Sequence, residues 1–253
     1  MTITAPTPRA SRASPDPMRR TSRAAGVLYL LTFVSIPTLA LYGPVRDNAD
    51  FVLGAGSDTG VLVAALSEVV VALAGIGTAV VLYPVAKRQS ETAALGFVTT
   101  RVLEAGLIIV GVVSVLTLVT LRNDVAGTAG ADPASLVTTG HTQLATYDWA
   151  FLLSQSLLPV FNALFLGYVL YRSGLVPRLL PTLGLIGAPL LLASDLAIFF
   201  GVYDRAAPIA IVAALPIAVW EFSLGVYLVT KGFRPAAVAA LTATDRRTEP
   251  SPA

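Results

Sequence analysis

Apolar residues in this chain come in long runs separated by short polar stretches. A helix that spans a bilayer needs about 20 apolar residues, each rising 1.5 Å. Six runs are long enough: 24–42, 61–84, 93–121, 147–171, 181–202 and Pro208–Thr230. The third exceeds the minimum and has room to tilt. The pattern predicts an all-α, polytopic transmembrane helical bundle of six spans over residues 24–231. The flanks, 1–23 and 232–253, are rich in Pro, Ser, Thr and Arg without apolar period and are predicted to be disordered tails. The first run is longer than the ~7–15 residues of a signal-peptide core and lacks a following Ala-x-Ala site, so it is read as a retained span. In the longest connection, 122–146, a flexible Gly127–Gly130 stretch precedes a short predicted interfacial helix over 132–144. Asp132 would cap that helix and Pro133 would open its first turn.

Composition agrees with this picture and removes most alternatives. Of 253 residues, 55% are apolar and only 13% charged, where a soluble domain carries about 25% charge. Mean hydropathy is +0.75. So little charge cannot cover a core of this size, which excludes a soluble enzyme and a nucleic-acid binder. Without cysteine there is no disulfide and no thiolate chemistry. The net charge of +2 does not signal a nucleic-acid partner, because the basic residues flank apolar runs. Lys87, Arg88, Arg172, Arg178, Lys231 and Arg234 share one side with the arginines of both tails. The other side has Arg46, Arg122 and Arg205 among the acidic residues Asp47, Asp50, Asp58, Asp124, Asp132 and Asp204. The positive-inside rule then puts both termini in the cytoplasm.

Ionisable side chains at bilayer depth cost at least about 2.5–3.5 kcal/mol each, so they face protein or a wet cavity and seek partners. Five lie well inside the runs: Glu68, Arg101, Glu104, Asp195 and Glu221. Counted from the inner basic anchors, Arg101, Glu104 and Glu221 share a layer roughly 13–18 Å deep. Glu68, Gln155 and Asp195 share another at about 20–28 Å. Arg101 and Glu104 are three apart on one helix and share a face, and Glu221 is placed to complete an arginine-centred cluster. Such a cluster either ties helices together or binds an anion or relays protons. Glu68 and Asp195 are candidate proton- or cation-binding groups. Glu68 is followed at helical spacing by Ala72, Gly75 and Ala79, which permit close helix approach, and Glu221 is flanked by Ala214, Ala218 and Gly225.

Asp148, Gln155 and Asn162 recur every seven residues and form a polar stripe on the fourth run. The stripe fits a hydrated pathway and an interhelical hydrogen-bond seam equally well. Pro159 cannot donate to the Gln155 carbonyl, while Pro37, Pro189 and Pro216 interrupt other runs and are candidate kinks. Tyr147 and Trp149 read as interfacial belt aromatics, and Trp220 could shield Glu221 from lipid. The lone histidine, His141, reads as a surface residue, and no metal site or cofactor is expected. Gly26, Gly96 and Gly184 stand near the starts of alternate runs, as repeated helical hairpins or chance would place them. No HExxH, Gly-x-Ser-x-Gly, P-loop or Rossmann pattern occurs, so an enzyme is the less favoured class.

Several motifs together resemble one family. They are Tyr42-Gly43-Pro44-Val45, Arg101-Val102-Leu103-Glu104-Ala105, Asp148-Trp149 and Tyr171-Arg172-Ser173-Gly174-Leu175-Val176-Pro177-Arg178, followed by Trp220-Glu221-Phe222-Ser223-Leu224-Gly225 and Lys231-Gly232-Phe233. Over about residues 20–235 the chain resembles the bacterial, largely actinobacterial, membrane proteins grouped as domain of unknown function 4386. The resemblance implies a multi-pass protein of the bacterial cytoplasmic membrane, without an established activity. It singles out Glu68, Arg101, Glu104, Asp148, Trp149 and Glu221. Tyr147 stands where the family often has histidine, and Gln155 and Asp195 fall where it usually has neither charge nor amide. The leading expectation is a small proton- or cation-coupled, permease-like transporter using buried carboxylates, with the lipid bilayer and a small ion or molecule as partners. The alternative is a membrane scaffold or assembly subunit whose buried charges fix helix packing. Oligomeric state is left open by the sequence.

Overall fold

The computed structural model describes residues 17–36, 38–54, 57–125 and 127–248. Residues 1–16 and 249–253 of the expected tails, and the candidate kink at Pro37, lie outside the described residues. The described residues are 84% helical and contain no strand. In chain order the helices are α1 (Pro17–Leu31), the short α2 (Thr38–Leu41) and α3 (Gly43–Arg46), α4 (Thr59–Ala86) and α5 (Glu91–Thr120). Then come α6 (Pro133–Phe151), α7 (Leu158–Ser173), α8 (Leu179–Phe199), α9 (Pro208–Thr230) and α10 (Pro235–Thr248).

Five helices are long and apolar enough to cross a membrane: α4, α5, the continuous α6–α7, α8 and α9. Their outer faces are apolar. Leu66, Leu73 and Val80, seven residues apart on α4, are all about two-thirds exposed, and α9 exposes Val212, Leu215, Val219 and Phe222. That surface suits a lipid bilayer. α1 packs between α4 and α9, and the remaining neighbours are α4–α5, α5–α6/α7, α7–α8 and α8–α9. The helices thus form a ring, with the buried polar side chains pointing into it.

The first apolar run departs from a single span. Helix α1 stops at Leu31 and the chain tightens into a 3₁₀ turn over Thr32–Ser35. The Thr32 hydroxyl donates to the Tyr29 carbonyl at 2.7 Å, and Ile36 N donates to the Phe33 carbonyl three residues back. Local bonds of this kind compete with the i→i−4 ladder. Past Leu31 the chain packs mainly against α4 and keeps a ring contact to α9 through Phe33 and Phe222.

Three other expectations are corrected. The start of α1 extends into the expected N-terminal tail. Arg19 donates to the carbonyls of Lys231 and Thr230, and Ser22 donates to that of Leu228. These bonds satisfy carbonyls that the end of α9 leaves open. At the other terminus, Pro235 opens α10, Arg234 N bonds the Leu175 carbonyl, and Leu241 packs onto the core. Finally, the helix of the fourth apolar run starts at Pro133, not near Tyr147. Asp132 does accept from Ala134 N and Ser135 N, but the helix it caps runs without interruption into the bundle. Between α6 and α7 the backbone widens into a π-helical turn, Leu152–Leu157, with Leu158 N donating to the Leu153 carbonyl. The extra residue comes just before Pro159, which has no N–H to give. By contrast, α8 and α9 run through Pro189 and Pro216 without a break.

Close packing in the ring relies on glycine. A Cβ on Gly26 would stand 2.6 Å from the Gly225 carbonyl on α9, and one on Gly184 would stand 2.5 Å from the Trp220 ring. Trp220 is therefore turned into the bundle against α8, fully buried, and does not shield Glu221 from lipid.

Candidate functional site

Arg101 is 2% exposed and sits at the centre of the ring. Gly75 on α4 leaves room for its stem, with Arg101 Cδ 3.9 Å from where a Cβ would be. Tyr29 and Phe97 present ring faces 5.3 and 5.7 Å from the guanidinium carbon. Nη1 donates to both Glu104 oxygens at 3.1 Å, and Nη2 donates to Glu221 Oε1 at 2.8 Å. Asn162 Nδ2 donates to Glu104 Oε2 at 2.6 Å, and its own carbonyl oxygen accepts from Thr100 at 2.6 Å. One guanidinium thus serves two carboxylates from α5 and α9, and an amide from α7 ties one of them down. Glu221 is the less covered of the two, and among the described residues Arg101 is its one donor.

Beside this cluster lies a cavity of about 350 Å³. Arg101, Glu104 and Glu221 form part of its wall, with Gln155, Ser156 and Pro159 from the π-turn region. Phe33, Phe151, Ala214 and Ala218 supply apolar wall. A volume of this size is in the range that holds small-molecule ligands. Gln155 and Ser156 both lie in the π-turn, and single π-turns within helices occur often at functional sites.

Glu68 is 1% exposed and is held without a cation. It accepts from the Tyr147 hydroxyl at 2.8 Å, the Tyr42 hydroxyl at 3.1 Å and Gln155 Nε2 at 3.1 Å. Tyr42 and Tyr147 also meet edge to face, 5.1 Å between ring centroids. Tyr147 is therefore a buried donor and not a belt aromatic, whereas Trp149 is half exposed and packs on Phe199. Gln155 touches both Glu68 and the cavity, so it links the two carboxylate layers.

The family comparison becomes informative with this geometry in place. The pattern described as domain of unknown function DUF4386 matches residues 24–232, most of the chain. The protein belongs to this family. No curated protein and no solved structure matches it. The DUF4386 region runs from Ala24, midway along α1, to just past the end of α9.

The remaining candidates in the DUF4386 chain are spread out. Asp195 accepts from the Ser156 hydroxyl at 2.6 Å, and its second oxygen is buried with no partner among the described residues. It approaches the cavity through Ser156 but joins neither Glu68 nor the arginine cluster. Asp148 lies at the acidic end, where it accepts from Arg46 and, at 3.2 Å, from Arg205. The Arg205 guanidinium also stacks 4.2 Å over the Phe151 ring, at the cavity wall. Burial lowers the Arg205 pKa from the usual guanidinium value, and the nearby Arg46 charge lowers it further. The stripe therefore divides: Asp148 latches loops, Gln155 binds Glu68 and Asn162 binds Glu104. His141 lines a separate 230 Å³ pocket with Arg46, Asp47 and Asn48. No group of three metal-ligating residues occurs among the described residues.

Sequence reasoning did not find Tyr42, Tyr147, Ser156 or the Arg46–Asp148–Arg205 latch. Tyr42 was visible only as part of a family motif.

Proposed function

We propose that this protein is a small permease-like carrier of the bacterial cytoplasmic membrane, coupled to protons or cations through its buried carboxylates. In this reading the broken first segment is the sixth span. The basic end, with Arg172, Arg178 and Lys231, faces the cytoplasm with both termini, in line with the positive-inside rule. The cavity beside Arg101, Glu104 and Glu221 carries the proposal. A purely structural ion cluster has no need of open volume at its edge, and in close-packed interiors such voids are few. Intramembrane carboxylates that face a cavity commonly mark ion or proton pathways. Glu221, held by one donor, is the group best placed to exchange a proton or a cation. Glu68, Gln155 and Asp148 extend polar character from the cavity toward the acidic end, where Arg46 and Arg205 close over it.

Flux in proteoliposomes tests this directly. Wild-type protein should move protons or monovalent cations down an imposed gradient. Glu221→Gln and Glu104→Gln, recovered folded, should each lower the rate by about tenfold or more, the scale of losing one positioned proton-transfer group. Equal rates in all three would reject the carrier.

A scaffold reading draws on a different observation. The bonds of Glu68, Glu104 and Arg101 join α4, α5, the continuous α6–α7 helix and α9, as packing glue would. It requires no flux and predicts a partner that co-purifies with wild type and is lost on changing Arg101.

A further inference from the structure

The ring is not closed along its whole height. In the half toward the basic end, α1 and α9 pack with backbones nearly touching at Gly26 and Gly225. Past Leu31 the first segment follows α4 instead. Across the seam that this opens, Phe33 meets Phe222 edge to face at 5.4 Å. The cavity lies behind this seam, between Phe33 and Ile36 on one side and Ala214, Ala218 and Glu221 on the other. Ile36 is 65% exposed and Val219, next to Ala218, is 48% exposed, so the seam faces the surface that suits hydrocarbon. The acidic end, by contrast, is capped by Arg46, Asp148 and Arg205.

The charge on the wall is unbalanced. Arg101 is shared between Glu104 and Glu221, which leaves one formal negative charge. Asp195, with an unpartnered buried oxygen, adds another behind Ser156. Arg101 Nε is also buried without an acceptor among the described residues, but both terminal nitrogens already bond carboxylates, so an arriving anion meets the like charge of Glu104 and Glu221. A cation meets no such obstacle. Glu221 has an oxygen that no donor among the described residues holds, and the Phe33 ring flanks the same space, where aromatic faces favour cations.

We propose that the cavity binds a lipophilic organic monocation, a protonated or quaternary amine with an apolar body, which enters from the bilayer between the first segment and α9. The ammonium seats against Glu221, and the body lies between the phenylalanines and the α9 alanines. This names the substrate class for the carrier reading and rests on it for the transport step, but not for binding.

Equilibrium binding of radiolabelled benzyltrimethylammonium to the full chain in lipid nanodiscs provides the test. Wild type should bind saturably. Glu221→Gln, which removes the charge, and Ala218→Trp, which fills the entrance, should each weaken binding by about tenfold or more. Phenylmethanesulfonate, of similar size and opposite charge, should not compete. No saturable binding to folded wild type overturns the proposal, as does competition by the sulfonate equal to that by unlabelled cation. Both of these arms use wild type alone, so they stand if a variant fails to fold. Unchanged binding in folded Glu221→Gln also overturns it. Saturable, charge-selective binding without flux in proteoliposomes supports the site and rejects only the carrier.

Discussion

Arg101→Leu is expected to lose about 3–5 kcal/mol of stability, the usual cost of removing one partner from a buried ion pair. Little folded protein should survive extraction into mild detergent, and what survives should melt well below wild type. The cause is less the lost attraction than what remains. Glu104 and Glu221 both bond Arg101, which is 2% exposed. Without the guanidinium, two carboxylates stay in the ring with Asn162 as the one donor left to them among the described residues. Both would have to take up protons or admit water. The triple variant Arg101→Leu, Glu104→Gln, Glu221→Gln should recover most of the loss, because it removes the stranded charges as well. Fluorescence-detected size exclusion with a melting ramp would follow all of them. A single variant that melts like wild type would mean the carboxylates do not depend on the guanidinium.

The second large effect concerns Glu68. Glu68→Ala strands two tyrosine hydroxyls and one amide, from Tyr42, Tyr147 and Gln155. Interhelical hydrogen bonds in membranes average about 0.6 kcal/mol each, so three lost bonds set a floor near 2 kcal/mol. Donors left buried without any partner cost about 1–3 kcal/mol apiece, which raises the figure if the tyrosines cannot turn toward water. Tyr42 and Tyr147 are each almost fully buried, so the larger value is the expected one. Glu68→Gln should lose less, because it keeps the volume and an acceptor oxygen. The same melting measurement separates the two. Equal stability of Glu68→Ala and wild type would show that these bonds hold nothing together.

The sequence made the class of fold legible because hydropathy reports the solvent. Runs two to six correspond to long apolar helices, and the i,i+3 spacing of Arg101 and Glu104 was enough to put them on one face. The errors arise where solvent and backbone part company. The segment Pro133–Thr146 is polar, so a hydropathy scan ends the helix there. Its Thr138, Thr139, Thr142 and Thr146 hydroxyls bond back to i−4 carbonyls at 2.9–3.0 Å, and the helix continues regardless. Apolar character likewise carried the first run across the break that Thr32 and its neighbours introduce. The C-terminal α10 is rich in alanine, which favours helix, but its charged and proline-bearing end resembled a tail.

The candidate site was legible in part for a similar reason. Depth along a helix can be counted, so Glu221 could be placed level with Arg101. Rotation and ring order cannot be counted, so the tyrosine partners of Glu68 and the seam between the first segment and α9 had no sequence signal. Tyrosine at the end of an apolar run looks the same whether its hydroxyl reaches a lipid headgroup or a buried carboxylate.

The central claim is that the buried charges border a water-accessible cavity inside a ring solvated by hydrocarbon. The chain has no cysteine, so single-cysteine variants report one position each. Ala218 lines the cavity and Val219, one residue on, is 48% exposed on the outer face; their depths differ by only about 1.5 Å. Thiols react with methanethiosulfonates as thiolates, which form where water reaches. In sealed vesicles, Ala218→Cys should react with aminoethyl methanethiosulfonate, an ammonium that crosses the bilayer as its neutral amine, and Val219→Cys should stay unlabelled. An Ala218→Cys protein as inert as Val219→Cys would contradict the account.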